Sequence, residues 1–327
     1  MAPLASRFLA CMFVLLLGAF AVGGAQAQTF PNKSIRLIVP FAPGGSSEIV
    51  ARSVAQEMSK SLGQTVFVDN KPGGAGTIAM LDLKGAPADG HTLILGHVGV
   101  LAVNPYAMAR HPYDVNKDFA PVVLLARVPT VFVVNASVQA RNLREWVALA
   151  KSKPGQLNYS SAGNGSSGHL TFEYLKMVTD TFVVHIPYRG TGPQLTDLLA
   201  GRIDAASIGG PAVLPHIRSG KLRAIAVGSA ERVSALPDVG TVAEQGYPGF
   251  ETSQWYGLLA PAGTPKAVID RIAAEATKAL KASSVTERFA ADSARGIGGT
   301  PEQFAAFIRD EQKRWQDVIK RANIVID

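Results

Sequence analysis

Ile35-Arg36-Leu37-Ile38-Val39 is a short apolar run stopped by Pro40, and Val50, Val54, Met58 and Leu62 recur at helical spacing just beyond it. Between the two lies Phe41-Ala42-Pro43-Gly44-Gly45-Ser46-Ser47-Glu48, a glycine-rich turn that carries a buried strand straight into a helix. Gly63 closes the helix and Val66-Phe67-Val68 begins the next strand. Further strand-like runs occupy Thr92–Leu95, Thr130–Val134, Leu157–Ser160, Phe182–Ile186 and Leu222–Val227, with helical patterns around 141–151, 168–178 and 192–200. This alternation predicts an α/β fold of mainly parallel sheets flanked by helices. Two later helices carry their own start signals. Thr264-Pro265 offers an N-cap and first-turn proline before Val268, Ile272, Ala276 and Leu280. Thr300-Pro301 repeats the device with Gln303 completing a capping box, and Phe304, Phe307, Ile308, Trp315 and Ile319 form its apolar stripe.

At 327 residues, 47% hydrophobic and 17% charged, the chain is built to fold and has length for about two domains. Its one cysteine, Cys11, excludes an internal disulfide, a cysteine-based metal site and a thiol nucleophile elsewhere. Residues 1–27 read as a secretory signal, with Arg7 as the basic start, Phe8 to Val22 as the apolar stretch and Ala25-Gln26-Ala27 as the cleavage pattern. Cleavage after Ala27 is expected, giving a periplasmic protein of residues 28–327. The net charge of +7 is spread along the chain without interleaved aromatics, so a nucleic-acid groove is not expected and no nucleic-acid partner is assigned.

The loop from Phe41 to Glu48 allows backbone N–H groups to converge at a helix start, where unpaired donors and a partial positive charge favour an anion. Equally, it is a tight turn in which Ser46 or Ser47 caps the helix. It lacks the Gly-Lys-Ser/Thr ending of a nucleotide loop. A second strand-to-helix segment, Asn158 to His169, has the same logic and is rich in hydroxyls and amides: Ser161, Gly163, Asn164, Gly165, Ser166, Ser167 and His169. Gly163, Gly165 and Gly168 formally match a dinucleotide fingerprint, as does Gly74-Ala75-Gly76-Thr77-Ile78-Ala79 in variant form. The strand after the first match ends at His185-Ile186-Pro187-Tyr188-Arg189, without the acidic residue that would hold a ribose hydroxyl. No cofactor is assigned. The dispersed histidines supply no metal-ligand spacing, and no metal is assigned. The competing enzyme reading, an exported serine hydrolase, makes His169 the activator of Ser166 or Ser167. Neighbours at a helix start rarely share that geometry, so no enzyme activity is expected.

One series of segments resembles a known family along essentially the whole chain after residue 30. It opens with Pro31-Asn32-Lys33-Ser34-Ile35 through Pro43-Gly44-Gly45. It continues through Asn70-Lys71-Pro72-Gly73-Gly74-Ala75-Gly76, Tyr113 to Val122, Pro154 to Tyr159, Ile186-Pro187-Tyr188-Arg189-Gly190, Gly220 to Ala224 and Leu236-Pro237-Asp238-Val239, and ends with Trp255-Tyr256-Gly257 through Pro265. These segments resemble the Bug/TctC family, the extracytoplasmic solute receptors of tripartite tricarboxylate transporters. The resemblance implies a two-domain periplasmic-binding-protein clamshell, type II-like, with residues 28–128 and 256–327 as domain 1 and 129–255 as domain 2. It implies a solute-binding protein that captures a small carboxylate (a di- or tricarboxylate, an amino acid or an aromatic acid) and delivers it to membrane permease subunits. A ligand-sensing role beside a membrane signalling partner is the alternative, and a monomer is expected. The site residues it implies are Phe41, Ala42, Gly44, Gly45, Ser46, Ser47 and Glu48 on one side and Ser161 with Gly163–Ser167 and His169 on the other. Tyr188, Gly190 and Thr191 close the cleft. Glu48 stands where the family usually carries Asp, and it either complements the helix dipole or narrows the pocket.

Overall fold

β1 (Ile35–Val39) is buried along most of its length and leaves through Pro40 into α1 (Ser46–Leu62), which Gly63 ends in the left-handed region at φ 67°, its N–H donating to the Ser59 carbonyl. The computed structural model describes residues 30–291, 293–322 and 324–326; the expected leader, 1–27, lies outside the described residues. β2 (Val66–Asn70) and, after α2 (Thr77–Lys84), β3 (Thr92–His97) flank β1 in parallel. β4 follows as one long strand (Phe119–Asn135), then α3 (Leu143–Ser152), β5 (Asn158–Ser161), α4 (Ser167–Thr179), β6 (Val184–Pro187), α5 (Thr191–Leu199), β7 (Ala205–Gly209), α6 (Gly210–Arg218) and β8 (Leu222–Val227). The chain closes with β9 (Ser253–Pro261), α7 (Lys266–Ala279), α8 (Ser283–Ala291), β10 (Arg295–Gly296) and α9 (Pro301–Ala322).

The strand order is β2-β1-β3-β9-β4-β7-β5-β6, with β8 and β10 also on β4. Two parallel wings, β2-β1-β3 and β7-β5-β6, are joined by β4 and β9, which pair antiparallel to their neighbours. The expected parallel pairing thus belongs to the wings, and the centre is antiparallel because β4 and β9 are the strands that cross between them. β4 changes partners part-way: Phe119 to Pro129 lie against β9, and Thr130 to Asn135 lie against β7 and β8. Both wings belong to one compact unit, Lys33–Asp327.

The first wing's core collects Ile38, Met80, Val100, Leu101 and Trp255 together with Phe304, Ile308, Trp315 and Ile319 of α9. The predicted capping box of α9 is formed: the Thr300 N–H donates to Gln303 Oε1 at 2.9 Å and the Gln303 N–H to Thr300 Oγ1 at 3.2 Å. Glu311 Oε2 accepts from both indoles, Trp255 at 2.7 Å and Trp315 at 3.2 Å, which fixes the helix against β9. Thr264 does not cap α7 as expected. Its hydroxyl donates to the Pro261 carbonyl, Pro265 takes the cap position, and the buried stripe shifts to Ile269, Ile272, Ala273 and Ala276. The second wing is packed on both faces, by Phe132, Trp146, Tyr159 and Phe172 on one and by Val131, Val133, Leu198 and Val213 on the other.

Where the wings meet, Thr130 of β4 and Thr252 before β9 share a buried hydrogen bond of 3.1 Å. Gly228, just after β8, lies between them, donating to the Thr130 carbonyl and accepting from the Thr252 N–H. A Cβ there would stand 2.3 Å from one threonine Oγ1 and 2.4 Å from the other. Gly228→Ala must therefore push apart two crossings of the chain, and it is expected to cost about 1–3 kcal/mol of stability, read as a lower urea midpoint. An unchanged midpoint would mean that the crossings yield freely.

Candidate ligand-binding cleft

In an open parallel sheet, ligands sit outside the carboxyl ends of the strands, and here both wings aim those ends at one seam. From the first wing come Phe41 after β1, Gly73 to Gly76 after β2 and His97 at the end of β3. From the second come Gly163, Asn164 and Ser166 after β5 and Tyr188 and Arg189 after β6. They enclose a cavity of about 410 Å³. Among the described residues that line it, Arg189 alone carries a formal charge, and no carboxylate does. A smaller chamber of about 20 Å³ lies deeper, sharing Phe41, His97, Ala162 and Ser166 and adding Ser47, Thr191, Gln254 and Tyr256.

Three helices begin at that inner chamber. Ser47 sits in the first turn of α1, Ser166 caps α4, and Thr191 opens α5. Each helix start presents N–H groups without helical partners and a partial positive charge. The wings touch around the seam. The Ala42 N–H donates to the Arg189 carbonyl at 3.1 Å. A Cβ on Gly44 would come within 3.2 Å of the Gly192 Cα, and one on Gly99 within 2.2 Å of the Gly165 carbonyl oxygen. Gly44 (φ 99°) and Gly190 (φ 137°) supply backbone shapes that a side chain would strain.

The expected site residues fall into three groups. Phe41, Gly163, Asn164, Ser166, Ser167, Tyr188, Ser47 and Thr191 line one or both cavities. Ala42, Gly44, Gly45, Gly165 and Gly190 form the contact between the loops, Gly45 lying close to Thr191 Oγ1. Ser46, Glu48, Ser161 and His169 are buried behind the loops and line neither cavity. Glu48 turns away from the cleft, accepting from Arg52 Nε at 2.5 Å and from Asn70 Nδ2 at 3.3 Å. The Ser166 hydroxyl accepts from the His169 backbone N–H at 3.4 Å, and His169 Nδ1 accepts from the Gly165 N–H at 3.2 Å. The imidazole thus takes its bond from the loop backbone, and the hydroxyl does the work of a helix cap.

His97, Gln254, Tyr256 and the loop Gly73–Gly76 also line the cleft. The loop follows β2, opens α2 and holds φ angles of 117°, 55°, 50° and 87° from Gly73 through Gly76. His97 ends a strand just as Val39 does, and that position was its only signal in the sequence. Gln254 and Tyr256 sit within β9 and had none.

Beneath the second loop lies a stacked column. The His169 ring lies 4.3 Å from His185, and the other neighbour of His185 is Tyr159 at 4.8 Å. His185 Nε2 is bonded to Ser161 Oγ at 2.7 Å. Glu173 accepts from both the Tyr159 hydroxyl and Lys176. Burial lowers His169 to about 4 and His185 to about 3, and it lowers His97 to about 3. All three are neutral in the folded chain at pH 7. The unfolded chain binds protons on histidine below about pH 6.5, so their contribution is intact above that value and is lost as pH falls toward about 3. Melting temperature is therefore expected to fall between pH 6.5 and 5, above the range of most carboxylates, and His185→Gln is expected to flatten that fall. An equally steep fall in the variant would remove His185 from the account.

The chain matches the family described as tripartite tricarboxylate transporter family receptor over residues 50–324. It belongs to that family. Protein BugT of Bordetella pertussis is 38% identical over 316 residues, covering 96% of this chain and 97% of that protein. A Rhodopseudomonas palustris protein solved with adipate superposes with a TM-score of 0.88 at 34% identity, over 90% of this chain and 99% of that one. MatC from Rhodopseudomonas palustris, solved with bound malate, gives 0.85 at 33% identity, over 89% and 100%. The chain is a receptor of the Bug/TctC kind, a solute-binding protein and not an enzyme.

Proposed function

We propose that this receptor is a periplasmic protein, matured by cleavage after Ala27, that closes over a small carboxylate in the seam between its wings and presents it to the permease subunits of a tripartite tricarboxylate transporter. The observation that carries the ligand class is the meeting of three helix starts at a chamber with no lining carboxylate among the described residues. The adipate and malate held by two relatives of similar fold point to a dicarboxylate before the amino acids and aromatic acids. The binding residues assigned are Phe41, Ala42, Gly44, Gly45 and Ser47 from one wing and Gly163, Asn164, Gly165, Ser166, Ser167, Tyr188, Gly190 and Thr191 from the other. Ser46, Glu48, Ser161 and His169 support them from behind. The moving bodies are residues 28–128 with 256–327, and 129–255, in a monomer, with closure about the crossings at Thr130 and Thr252.

Closure excludes water, so each hydrogen bond from a fixed N–H to the ligand is strengthened by the lower local dielectric. The test is thermal melting of residues 28–327 against adipate, malate, tricarboxylates, amino acids and aromatic acids. A ligand that binds only the folded chain adds about 2.7 kcal/mol of stability at a hundredfold excess over its Kd. A rise in melting temperature with one acid, recovered unchanged, is the expected result. A flat response across the panel would overturn the carboxylate assignment.

A further inference from the structure

His97 carries an atom that the rest of the fold leaves unused. Its side chain lines both cavities and is only 4% exposed, and its Nε2 is buried without a hydrogen-bond partner among the described residues. The other ring nitrogen is committed: Nδ1 accepts the Gly99 N–H at 3.0 Å. That bond requires a lone pair on Nδ1, which places the ring proton on Nε2. The imidazole therefore faces the cleft as a donor only. Phe41 packs against it at 4.6 Å between ring centroids, tilted by 45°, and on the Nε2 side stands Gly76, where an added Cβ would already be in van der Waals contact at 3.8 Å.

The neighbouring groups of the inner chamber are spent in the same way. Gln254 Oε1 accepts the Tyr256 hydroxyl at 2.8 Å, which leaves its amide N–H groups for a ligand. Ser166 Oγ accepts the His169 N–H, which leaves its O–H. The protein's own hydrogen bonds thus occupy one acceptor position each on Gln254 and Ser166 and leave the donors of both side chains available, beside the His97 Nε2–H. A buried donor with no partner is costly, and an acceptor brought by a ligand removes that cost.

We propose that His97 Nε2–H is a specificity-determining donor that binds one carboxylate of the ligand at the inner end of the cleft and turns away any group, such as an ammonium, that must itself donate there. This rests on the carboxylate reading of the site. It commits the inner end to one anionic terminus, so the other polar end of the ligand lies toward Tyr188 and Arg189.

The experiment has a ligand-free arm and a binding arm. In the unliganded mature chain, nitrogen NMR of the imidazoles is expected to show His97 as the neutral tautomer protonated on Nε2, and a proton on Nδ1 would overturn the proposal. In the binding arm, malate, adipate and succinate are titrated by calorimetry into the unsubstituted chain, His97→Phe and His97→Gln, each first shown to unfold cooperatively in urea. His97→Phe keeps the ring shape without the donor and is expected to weaken binding by about 10- to 100-fold. His97→Gln restores an N–H and is expected to recover part of that loss. If the unsubstituted chain and His97→Phe bind a dicarboxylate equally, the donor role fails while the receptor reading stands. If the unsubstituted chain binds none of the three acids, the carboxylate reading itself fails and the donor falls with it.

Discussion

β4 runs unbroken for 17 residues and belongs to both wings, its first part paired with β9 and its second with β7 and β8. Everything else in the architecture follows from that sharing. β4 is antiparallel to β9, β7 and β8, and β9 to β3, so the strands of the two wings run in opposite directions. With the wings so opposed, the carboxyl ends of β1, β2 and β3 face those of β5 and β6 across one seam. The Thr130–Thr252 hydrogen bond and Gly228 mark where the crossings are packed most tightly. This is a buried polar contact between two crossing segments of the chain. A hydrogen bond there holds the crossing segments in register while the long cores on either side remain intact.

Position at a strand end explains why such different residues share the site. Phe41, His97, Asn164 and Tyr188 have no chemistry in common, but each lies within a few residues of the end of a parallel strand. The backbone contributes as much as they do. Gly44, Gly190 and Gly99 let opposing loops approach until main chain meets main chain, and a side chain at any of them would hold the loops apart. The column His169–His185–Tyr159 then supports the second loop from below. Its polar atoms are satisfied inside the column: Ser161 by His185, and Tyr159 and Lys176 by Glu173. The column also takes up N–H groups of the loop itself, Gly163 donating to Ser161 Oγ at 3.1 Å and Gly165 to His169 Nδ1 at 3.2 Å.

Much of this was legible in the sequence, and the exceptions share physical causes. β1, α1, β8 and α9 stood out because apolar periodicity and end signals agreed, Gly63 and the Thr300–Gln303 box being the clearest. Only the end of β4 was visible, since Pro121 and Pro129 interrupt a strand whose irregular register tolerates them. β7, Ala-Ala-Ser-Ile-Gly, is too small in its side chains to read as a strand, and its fit depends on the close approach of Gly209 to Ser46. α6 was hidden by Pro211 and Pro215. In the site, both glycine-rich loops were legible because their chemistry is local. Glu48 was placed in the first turn of α1, but its direction depends on Arg52 and Asn70, and Asn70 lies on another strand. His97, Gln254 and Tyr256 came to the cleft only through β3 and β9 pairing with each other, a contact between residues more than 150 positions apart.

On the proposed carboxylate reading, the balance of forces accounts for a cleft whose one charged lining residue among those described, Arg189, stands at the exposed mouth, with none in the inner chamber. A buried arginine would attract the anion strongly, but in the empty cleft it would be an uncompensated charge, and desolvating such an ion costs several kcal/mol. Helix starts contribute less each, about 0.3–1 kcal/mol when exposed and up to about 2 kcal/mol when partly buried. Three of them together approach the attraction of a single cation, and their donors are held in place by secondary structure whether or not a ligand is present. Neutral donors such as the His97 Nε2–H complete the set at a desolvation cost smaller than a charge would carry. A receptor must release what it captures. On that reading, fixed dipoles and neutral donors would hold an anion in a closed seam and let it go once opening admits water to compete for the same hydrogen bonds.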